Sequence, residues 1–510
     1  MSRLAHLALD LGAESGRAVL GSIESGSLST TEVHRFSHRP LRFPEGLRWD
    51  ITGLWREILA GIARGADFAR ASGLTLASIG VDCWGVDFAL LGPKGELLAL
   101  PRCYRDEANL PAMQRVLRDI PERDLYAATG IQTMALNTIF QLDALKHHSP
   151  SLLEHARTLL FLPDLFHHWL GGPAQTERSI ASTSQLLDPA SARWATSILQ
   201  RLGLPLSLFP DPGEPAADVG ELHPWIAHEV GLPPGVRIVR PTGHDTACAV
   251  AAIPAEPGGS WAFLSSGTWS LLGVEIQSPI RTDEAFRVPF TNELGLGGTV
   301  RFLKNIAGLW LVQECRRAWA AAGTDLDYAE LTRLAESEPP LRTLVDTQWG
   351  PFALPGDMPQ KIAAFASQTN QPVPRTPGQF TRTCLDSLAL AYHATLRNLE
   401  GVLGRSIDRL HLVGGGSRNA LLTRMTADAT GIPVFAGPEE ATAAGNILMQ
   451  AMGMGIVRDA AHLRQISRQT TPPRRVDPDP SAASLWSQAA SRYDDLVRRS
   501  RALAWEGSST

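Results

Sequence analysis

A β-hairpin with a small, polar turn opens each half of this chain, and that repetition limits the possible folds more than any other feature. In the first half, residues 4–11 form an apolar run, 12–16 a turn rich in Gly, 17–23 a second strand and 27–36 a third. In the second half, residues 261–273 read as strand, turn and strand, with Ser265-Ser-Gly-Thr-Trp-Ser270 at the turn. Helical periodicity follows each opening. Residues 52–71 carry Leu54, Ile58, Ile62 and Ala66 at helical spacing. A second β region spans 78–91, interrupted by Cys83-Trp84-Gly85, and 135–170 reads as helical with breaks at Pro150 and Pro163. Beyond the second hairpin, helices are expected at 306–321, 328–336 and 378–404. A strand at 411–413 then runs into Gly414-Gly415-Gly416. Helix 418–430 follows, with Leu421, Leu422, Met425 and Ala429 on one face, then strand 433–436 and helix 439–452. Strands alternating with helices predict layered α/β domains.

A chain of 510 residues predicts two to four domains at about 100–200 residues each. The boundary is expected near 247–258, giving domains 1–248 and 249–465. A tail, 466–510, holds the linker Thr471-Pro-Pro-Arg-Arg-Val-Asp-Pro-Asp-Pro480 and one amphipathic helix marked by Leu485, Ala489, Tyr493, Leu496 and Val497. That helix is expected on the body of the protein, with a partner surface as the alternative.

Charge narrows the function. Lys and Arg number 47, Asp and Glu 52, for a net charge of −5, which argues against nucleic acid as the main partner. No apolar run approaches the roughly 18 residues of a membrane-spanning helix, so no membrane partner is expected. The N-terminal run reaches Asp10 and Glu14 and reads as a first strand, not a secretory signal. The five cysteines are odd in number and none are spaced Cys-x-x-Cys, so disulfides and a zinc site are not expected and a cytoplasmic home is. The Gly-x4-Gly-Lys-Ser/Thr phosphate loop, the His-Glu-x-x-His motif and a Gly-x-Gly-x-x-Gly after the first strand are all missing. The pairs His147-His148 and His167-His168 point apart on a helix and do not suit a shared metal.

Four segments remain as candidates for chemistry. In Asp10-Leu-Gly-Ala-Glu-Ser-Gly-Arg17 a carboxylate ends a strand, and successive backbone N–H groups can cradle an anion. Asp10 could hold Mg²⁺ through water, and Arg17 could pair with phosphate oxygens. A plain hairpin turn with a surface arginine is the rival reading. Ser265-Ser-Gly-Thr-Trp-Ser270 holds the same place in the second half. In Leu412-Val-Gly-Gly-Gly-Ser-Arg-Asn419 glycines would let the backbone approach a flat ligand, and a helix start favours anions. In Thr242-Gly-His-Asp-Thr246, Asp245 is either a helix N-cap or a general base taking a proton from a substrate hydroxyl, with His244 and Thr246 beside it.

Together these segments resemble the FGGY carbohydrate kinases of the actin/Hsp70/hexokinase superfamily. The matching stretches are Asp10 to Arg17, Val81-Asp-Cys-Trp-Gly-Val-Asp-Phe88, Tyr104-Arg-Asp106, Gly243 to Thr246, Ser265 to Ser270, Lys304-Asn-Ile-Ala-Gly-Leu-Trp310 with Gln313, and Val413 to Asn419. They keep the family order over 10–450. The resemblance implies an α/β fold of two ribonuclease-H-like domains with the active site in the cleft between them. It implies transfer of the ATP γ-phosphoryl group, with Mg²⁺, to the 1-hydroxyl of L-rhamnulose, or of another ketose such as L-fuculose or L-xylulose. By the family pattern Ala13, Glu14, Ser15, Gly16, Arg17, Thr268, Gln313 and Gly415 contact ATP. Gly85, His244, Asp245, Thr246 and Asn305 line the sugar site, and Asp245 accepts the proton. Trp84 and Trp269 could wall a deoxysugar methyl group, with core packing as the rival. One departure is Glu14, where the family often has Ser. The expected partners are therefore a small sugar and ATP, on a monomer or homodimer. A non-catalytic, nucleotide-gated binding protein on the same scaffold is the competing reading, and it would have no need of a base at Asp245.

Overall fold

The computed structural model describes residues 3–256, 258–501 and 503. Two compact units divide the chain. The first gathers Met1–Pro254, Glu275–Leu303 and Ala441–Pro472, and the second gathers Ala255–Val274, Lys304–Glu440 and Pro473–Thr510. This differs from the expected division into 1–248, 249–465 and 466–510. Residues 275–303 and 441–472 cluster with the first unit, and 473–510 with the second.

The first unit is built on a six-stranded sheet. Its order is Ala217–Glu221, Arg237–Arg240, Leu74–Cys83, Arg3–Leu11, Ser15–Glu24 and Ser27–Ser37. Arg3–Leu11 lies antiparallel to Ser15–Glu24 and parallel to Leu74–Cys83. From Ala5 to Leu11 every side chain of the central strand is buried, so the strand reads as an apolar run rather than an alternation. Helix Ile51–Ala71 covers the sheet. Asp50 caps it by accepting the Gly53 N–H, and Leu54, Ile58, Ile62, Ala66 and Ala69 form the buried stripe. Each large member of that stripe contributes about 1.5–3 kcal/mol by leaving water.

Helix Ala441–Gly453 joins this unit through Ile447, Leu448, Met449 and Ala451, packed with Ala8, Val19 and Leu28, and through a polar seam beside them. Gln450 donates to the Leu7 carbonyl (3.0 Å) and accepts from Ser78 (2.7 Å), and Asn446 donates to Asp82 (2.6 Å). At Gly445 the helix packs directly on helix Asp245–Ala251, where a Cβ would run into the carbonyl of Cys248. Burial also pushes the His6 imidazole down to about 4, so at neutral pH it is uncharged beside Ser78.

Strands of the second unit follow the order Trp269–Ile276, Trp261–Ser266, Arg409–Val413, Val434–Ala436 and Arg474–Val476. The hairpin is antiparallel and its next neighbour parallel, as in the first unit. Arg474–Val476 is a strand inside the expected linker. The tail helix Ala483–Ser500 buries Trp486, Ala489, Tyr493 and Leu496 against helices Pro377–Leu403 and Ala420–Thr430. Leu485, expected on that face, is exposed.

Other expectations shift locally. Thr158–Phe161 is a strand within the stretch read as helical, paired with Phe88–Leu91. Helix 306–321 begins at Trp310, because Val300–Ala307 is a strand. All five cysteines are free and buried. No helix among the described residues is long and apolar enough to cross a membrane.

The Gly445 contact gives a direct test of the packing. Gly445→Ala is expected to destabilise the first unit by about 1–3 kcal/mol through overpacking, read as a lower urea midpoint. An unchanged midpoint would mean that the two helices separate at no cost.

Candidate active site

Register assembles the first part of the site. Arg17 and Asp10 are directly paired across the hairpin, and Asp10 and Asp82 are paired on adjacent parallel strands. Arg17 donates to Asp10 Oδ2 through Nε (2.9 Å) and Nη2 (2.7 Å). Asp82 is fully buried. Its Oδ2 accepts from Asn446, whereas Oδ1 has no hydrogen-bond partner among the described residues. Burial and the neighbouring Asp10 push the Asp82 carboxyl well up.

The turn after Asp10 is closed by Gly12 N–H to the Ser15 carbonyl (3.0 Å). His38 holds it from outside. Its ring meets the Gly12 carbonyl at 2.7 Å, and its backbone N–H donates to the carbonyl of Glu14. Ala13, Glu14 and Arg17 are half-buried, Ser15 is exposed and Gly16 is buried. Gly16 has a packing reason to be glycine, since a Cβ there would strike the Phe36 ring.

Chain pairing brings the candidate base to the same strand ends. Cys83 donates to the Gly243 carbonyl (2.9 Å), and Trp84 to that of Leu11 (3.2 Å). Buried Glu177 fixes the loop before the base, accepting from the N–H groups of Gly243 (2.8 Å), Ser179 and Ile180. Asp245 then opens a short helix. Its Oδ1 accepts from the N–H (2.5 Å) and hydroxyl (3.1 Å) of Thr246 and lies 3.4 Å from His244 Nε2. The side chain is 28% exposed, so a solute can reach it. Burial raises its pKa, His244 opposes that and Asp10 adds to it.

Gly85, two residues after Cys83, is half-buried, with Thr183 against the side a Cβ would take. Val86 follows at φ +69°, a conformation β-branched residues rarely adopt. It is pinned there: its N–H donates to Thr183, and its carbonyl accepts from Thr138 (2.7 Å). Backbone held this way costs about 1–3 kcal/mol and tends to mark functional sites. Beneath lies Asp87, accepting from Trp49 (2.5 Å), Trp84 (2.9 Å) and Gln141 (2.9 Å). Burial pushes its carboxyl up to about 7 in spite of these donors. Trp84 is buried against Trp49 and His38, with ring centroids at 4.4 and 5.3 Å, which favours packing over a wall for a ligand methyl. Trp269, in the second unit, is half-buried.

Thr268, Asn305, Gln313 and Gly415 belong to the second unit. Three of them meet around its hairpin turn. The Thr268 carbonyl accepts from Gly308 (3.1 Å) and Trp310 (3.3 Å), which places the first turn of helix Trp310–Ala321, with Gln313, beside it. The Gln313 Oε1 is buried without a partner among the described residues. Gly414, at φ +83°, and Gly416 abut Ser266, so both are glycine for structural reasons. Gly415 has neither reason: its φ lies outside the left-handed range, and a Cβ would meet nothing within 4 Å. A ligand approaching the backbone would explain that glycine. Asn305 lies half-buried on strand Val300–Ala307.

Sequence reading assigned no role to Asp82, Asp87, Glu177, Glu293, Arg301 or Asn446. Two signals were present. Asp82 and Asp87 interrupt an apolar segment, and a buried carboxylate needs a partner. Glu293 and Arg301 are opposite charges flanking the turn Gly-Leu-Gly-Gly. Their contacts with His244 arise only from tertiary packing.

The sequence matches the FGGY family of carbohydrate kinases, N-terminal domain, over residues 5–252 and C-terminal domain over residues 262–454. It is 42% identical over 491 residues to a rhamnulokinase of Bacteroides thetaiotaomicron, covering 96% of this chain and 99% of that one. A rhamnulokinase of Enterococcus faecalis is 37% identical, covering 97% and 98%. A gluconate kinase structure from Lactobacillus acidophilus superposes with a TM-score of 0.80 over 98% of this chain and 99% of that one, at 13% identity, which is a likeness of fold.

Two substitutions test these assignments. Asp87→Leu is expected to leave the indole N–H groups of Trp49 and Trp84 without an acceptor, at about 1–3 kcal/mol each, and to lower the unfolding midpoint followed by tryptophan emission. An unchanged midpoint would remove Asp87 as the anchor of the Trp84 segment. Gly415→Val is expected to leave thermal stability unchanged and weaken ATP binding by about tenfold or more in calorimetry. Unchanged ATP affinity would separate Gly415 from the nucleotide.

Proposed function

The chain belongs to the FGGY family of carbohydrate kinases, and from this we propose that it phosphorylates L-rhamnulose at the 1-hydroxyl, giving L-rhamnulose 1-phosphate and ADP in L-rhamnose catabolism. Its fold is the two-domain α/β fold of the actin/hexokinase superfamily. Asp245 carries the reading: a reachable carboxylate beside His244, at strand ends that also present Asp10 and Arg17. A binding protein without chemistry has no use for such a base.

Phosphoryl transfer asks for positioning and charge stabilisation, not a covalent intermediate. Asp245 accepts the proton of the attacking hydroxyl. Thr246 engages Oδ1 through both its N–H and its hydroxyl, so Oδ2 is the atom assigned to the attacking hydroxyl. Gly85, His244, Thr246 and Asn305 line the sugar. Ala13, Glu14, Ser15, Gly16, Arg17, Thr268, Gln313 and Gly415 contact ATP. Hard carboxylate oxygens suit Mg²⁺, and the unpartnered Oδ1 of Asp82 beside Asp10 fits an ion held largely through water. When bound, Mg²⁺ neutralises charge on the β- and γ-phosphates. The reading places the protein in the cytoplasm with no membrane or nucleic-acid partner, as a monomer or homodimer.

A coupled ADP-release assay tests the substrate, with L-rhamnulose, L-fuculose, L-xylulose, D-xylulose, L-ribulose and glycerol compared. L-Rhamnulose is expected to give the highest kcat/KM, and a clear preference for another sugar would overturn the substrate and keep the chemistry. Asp245→Asn is expected to lower kcat by about 10²–10⁴-fold while ATP and sugar still bind. Because the base works ionised and its pKa is raised, wild-type kcat/KM should fall on acidification at a pH above the ordinary aspartate value. Near-normal turnover of Asp245→Asn would remove Asp245 as the base.

A further inference from the structure

Glu177 and Thr183 stand at the two ends of one short helix, Arg178–Ser182, as its N-cap and C-cap. Every residue from Glu177 to Thr183 except Arg178 is buried, and Glu177, Ser179, Ser182 and Thr183 among them are polar. Apolar residues would pack such a helix at lower cost, since each buried polar group needs a partner. Here several partners lie far off in the chain. Glu177 accepts the Gly243 N–H (2.8 Å), Ser182 the Leu294 N–H (2.9 Å) and Thr183 the Val86 N–H (3.1 Å). One helix thus holds three segments that the sequence keeps apart.

The Thr183 end has only one proton arrangement. Its hydroxyl hydrogen goes to the Ile180 carbonyl (2.7 Å), which leaves a lone pair for the Val86 N–H. Val86 centres a three-residue turn in which the Asp87 N–H returns to the Gly85 carbonyl (2.9 Å). With φ +69° this is the rare, strained form of that turn. Thr183 also closes one side of Gly85, its Cγ2 lying 3.3 Å from where a Cβ would stand. The turn therefore takes its place from Thr183. At the other end, Glu177 fixes Gly243, two residues before Asp245. Six residues separate the caps, about 9 Å along a helix axis, and a helix does not stretch. Cys83 already ties its strand to the Gly243 carbonyl (2.9 Å), but that bond lies ahead of the turn and cannot set it.

We propose that Glu177 and Thr183 are positioning residues of the sugar site: through the helix between them they set the separation of the Gly85 backbone from the Asp245 carboxylate. The two ends do different work. Thr183 holds the turn that lines the sugar, so it governs how the ketose is bound. Glu177 holds the loop that carries the base, so it governs how fast the bound ketose reacts. The inference rests on the kinase reading above for the roles of Gly85 and Asp245, but not for the hold that the helix has on the two segments.

The test reads each end by itself. Thr183→Val keeps the shape and removes the acceptor. In hydrogen-exchange mass spectrometry, exchange over 84–88 is expected to quicken while 242–246 stays protected. The ketose KM is expected to rise about 10–100-fold, up to the cost of a misplacement of about 1 Å, with the KM for ATP unchanged. Thr183→Ser keeps the hydroxyl and is expected to restore most of that loss. Glu177→Gln sets an amide NH2 against N–H donors whichever way it turns. It is expected to quicken exchange over 242–246 and to lower kcat about 10–100-fold, with a smaller change in ketose KM. Should Glu177→Gln fail to fold, the two Thr183 variants decide. A folded Thr183→Val with wild-type exchange over 84–88 and wild-type ketose KM would overturn the proposal. Equal losses toward ketose and ATP, unrestored by Thr183→Ser, would also overturn it and leave the helix a packing element. If the wild type phosphorylates none of the ketoses, the substrate reading fails, and exchange over the two stretches still decides whether the helix ends hold them.

Discussion

Two carboxylates side by side at the ends of parallel strands are the constraint on which the first unit depends. Asp10 and Asp82 repel each other inside a sheet whose other side chains are largely apolar. Water cannot relieve them at that depth, so the protein does. Arg17 answers Asp10 from across the hairpin, and Asn446 answers Asp82 from a helix far along the chain. Helix Ala441–Gly453 therefore clusters with the first unit although more than half the chain separates it from those strands. The compensation is incomplete at Asp82 Oδ1, which has no hydrogen-bond partner among the described residues.

How much was legible in the sequence follows from how local each feature is. Both hairpins, the helix of 51–71 and the glycine turn at 414–416 are written in neighbouring residues, and they appear within a residue or two of where periodicity put them. Thr158–Phe161 was lost because four apolar residues between helices carry no period of their own, and the pairing with Phe88–Leu91 decides their state. The assignment of 275–303 and 441–472 to the first unit could not be read either. For helix Ala441–Gly453 it rests on Ile447, Leu448, Met449 and Ala451 packed with Ala8, Val19 and Leu28, and on the polar contacts of Asn446 and Gln450, partners that lie far away in the sequence.

The candidate site divides in the same way. Asp245 and its neighbours could be named from a five-residue motif, and so could the glycines. What supports them could not: Glu177 reaches the Gly243 N–H, and Glu293 reaches the imidazole, across separations that only the tertiary fold closes. The glycines also proved unequal. Gly16, Gly414 and Gly416 are needed by the packing or the backbone, and Gly415 is needed by neither. A motif therefore overstates how much of itself is devoted to a ligand.

Val86 shows what such a site demands of the rest of the molecule. Its left-handed backbone is a standing debt of folding energy, held in place by Thr183 and Thr138. A variant library screened only for heat resistance would tend to relieve it, since glycine takes that conformation without strain. The loop bearing Gly85 would then be freer to wander, and thermostability would rise as that loop loosened. For this segment, resistance to heat and a firmly fixed loop pull on the same peptide in opposite directions.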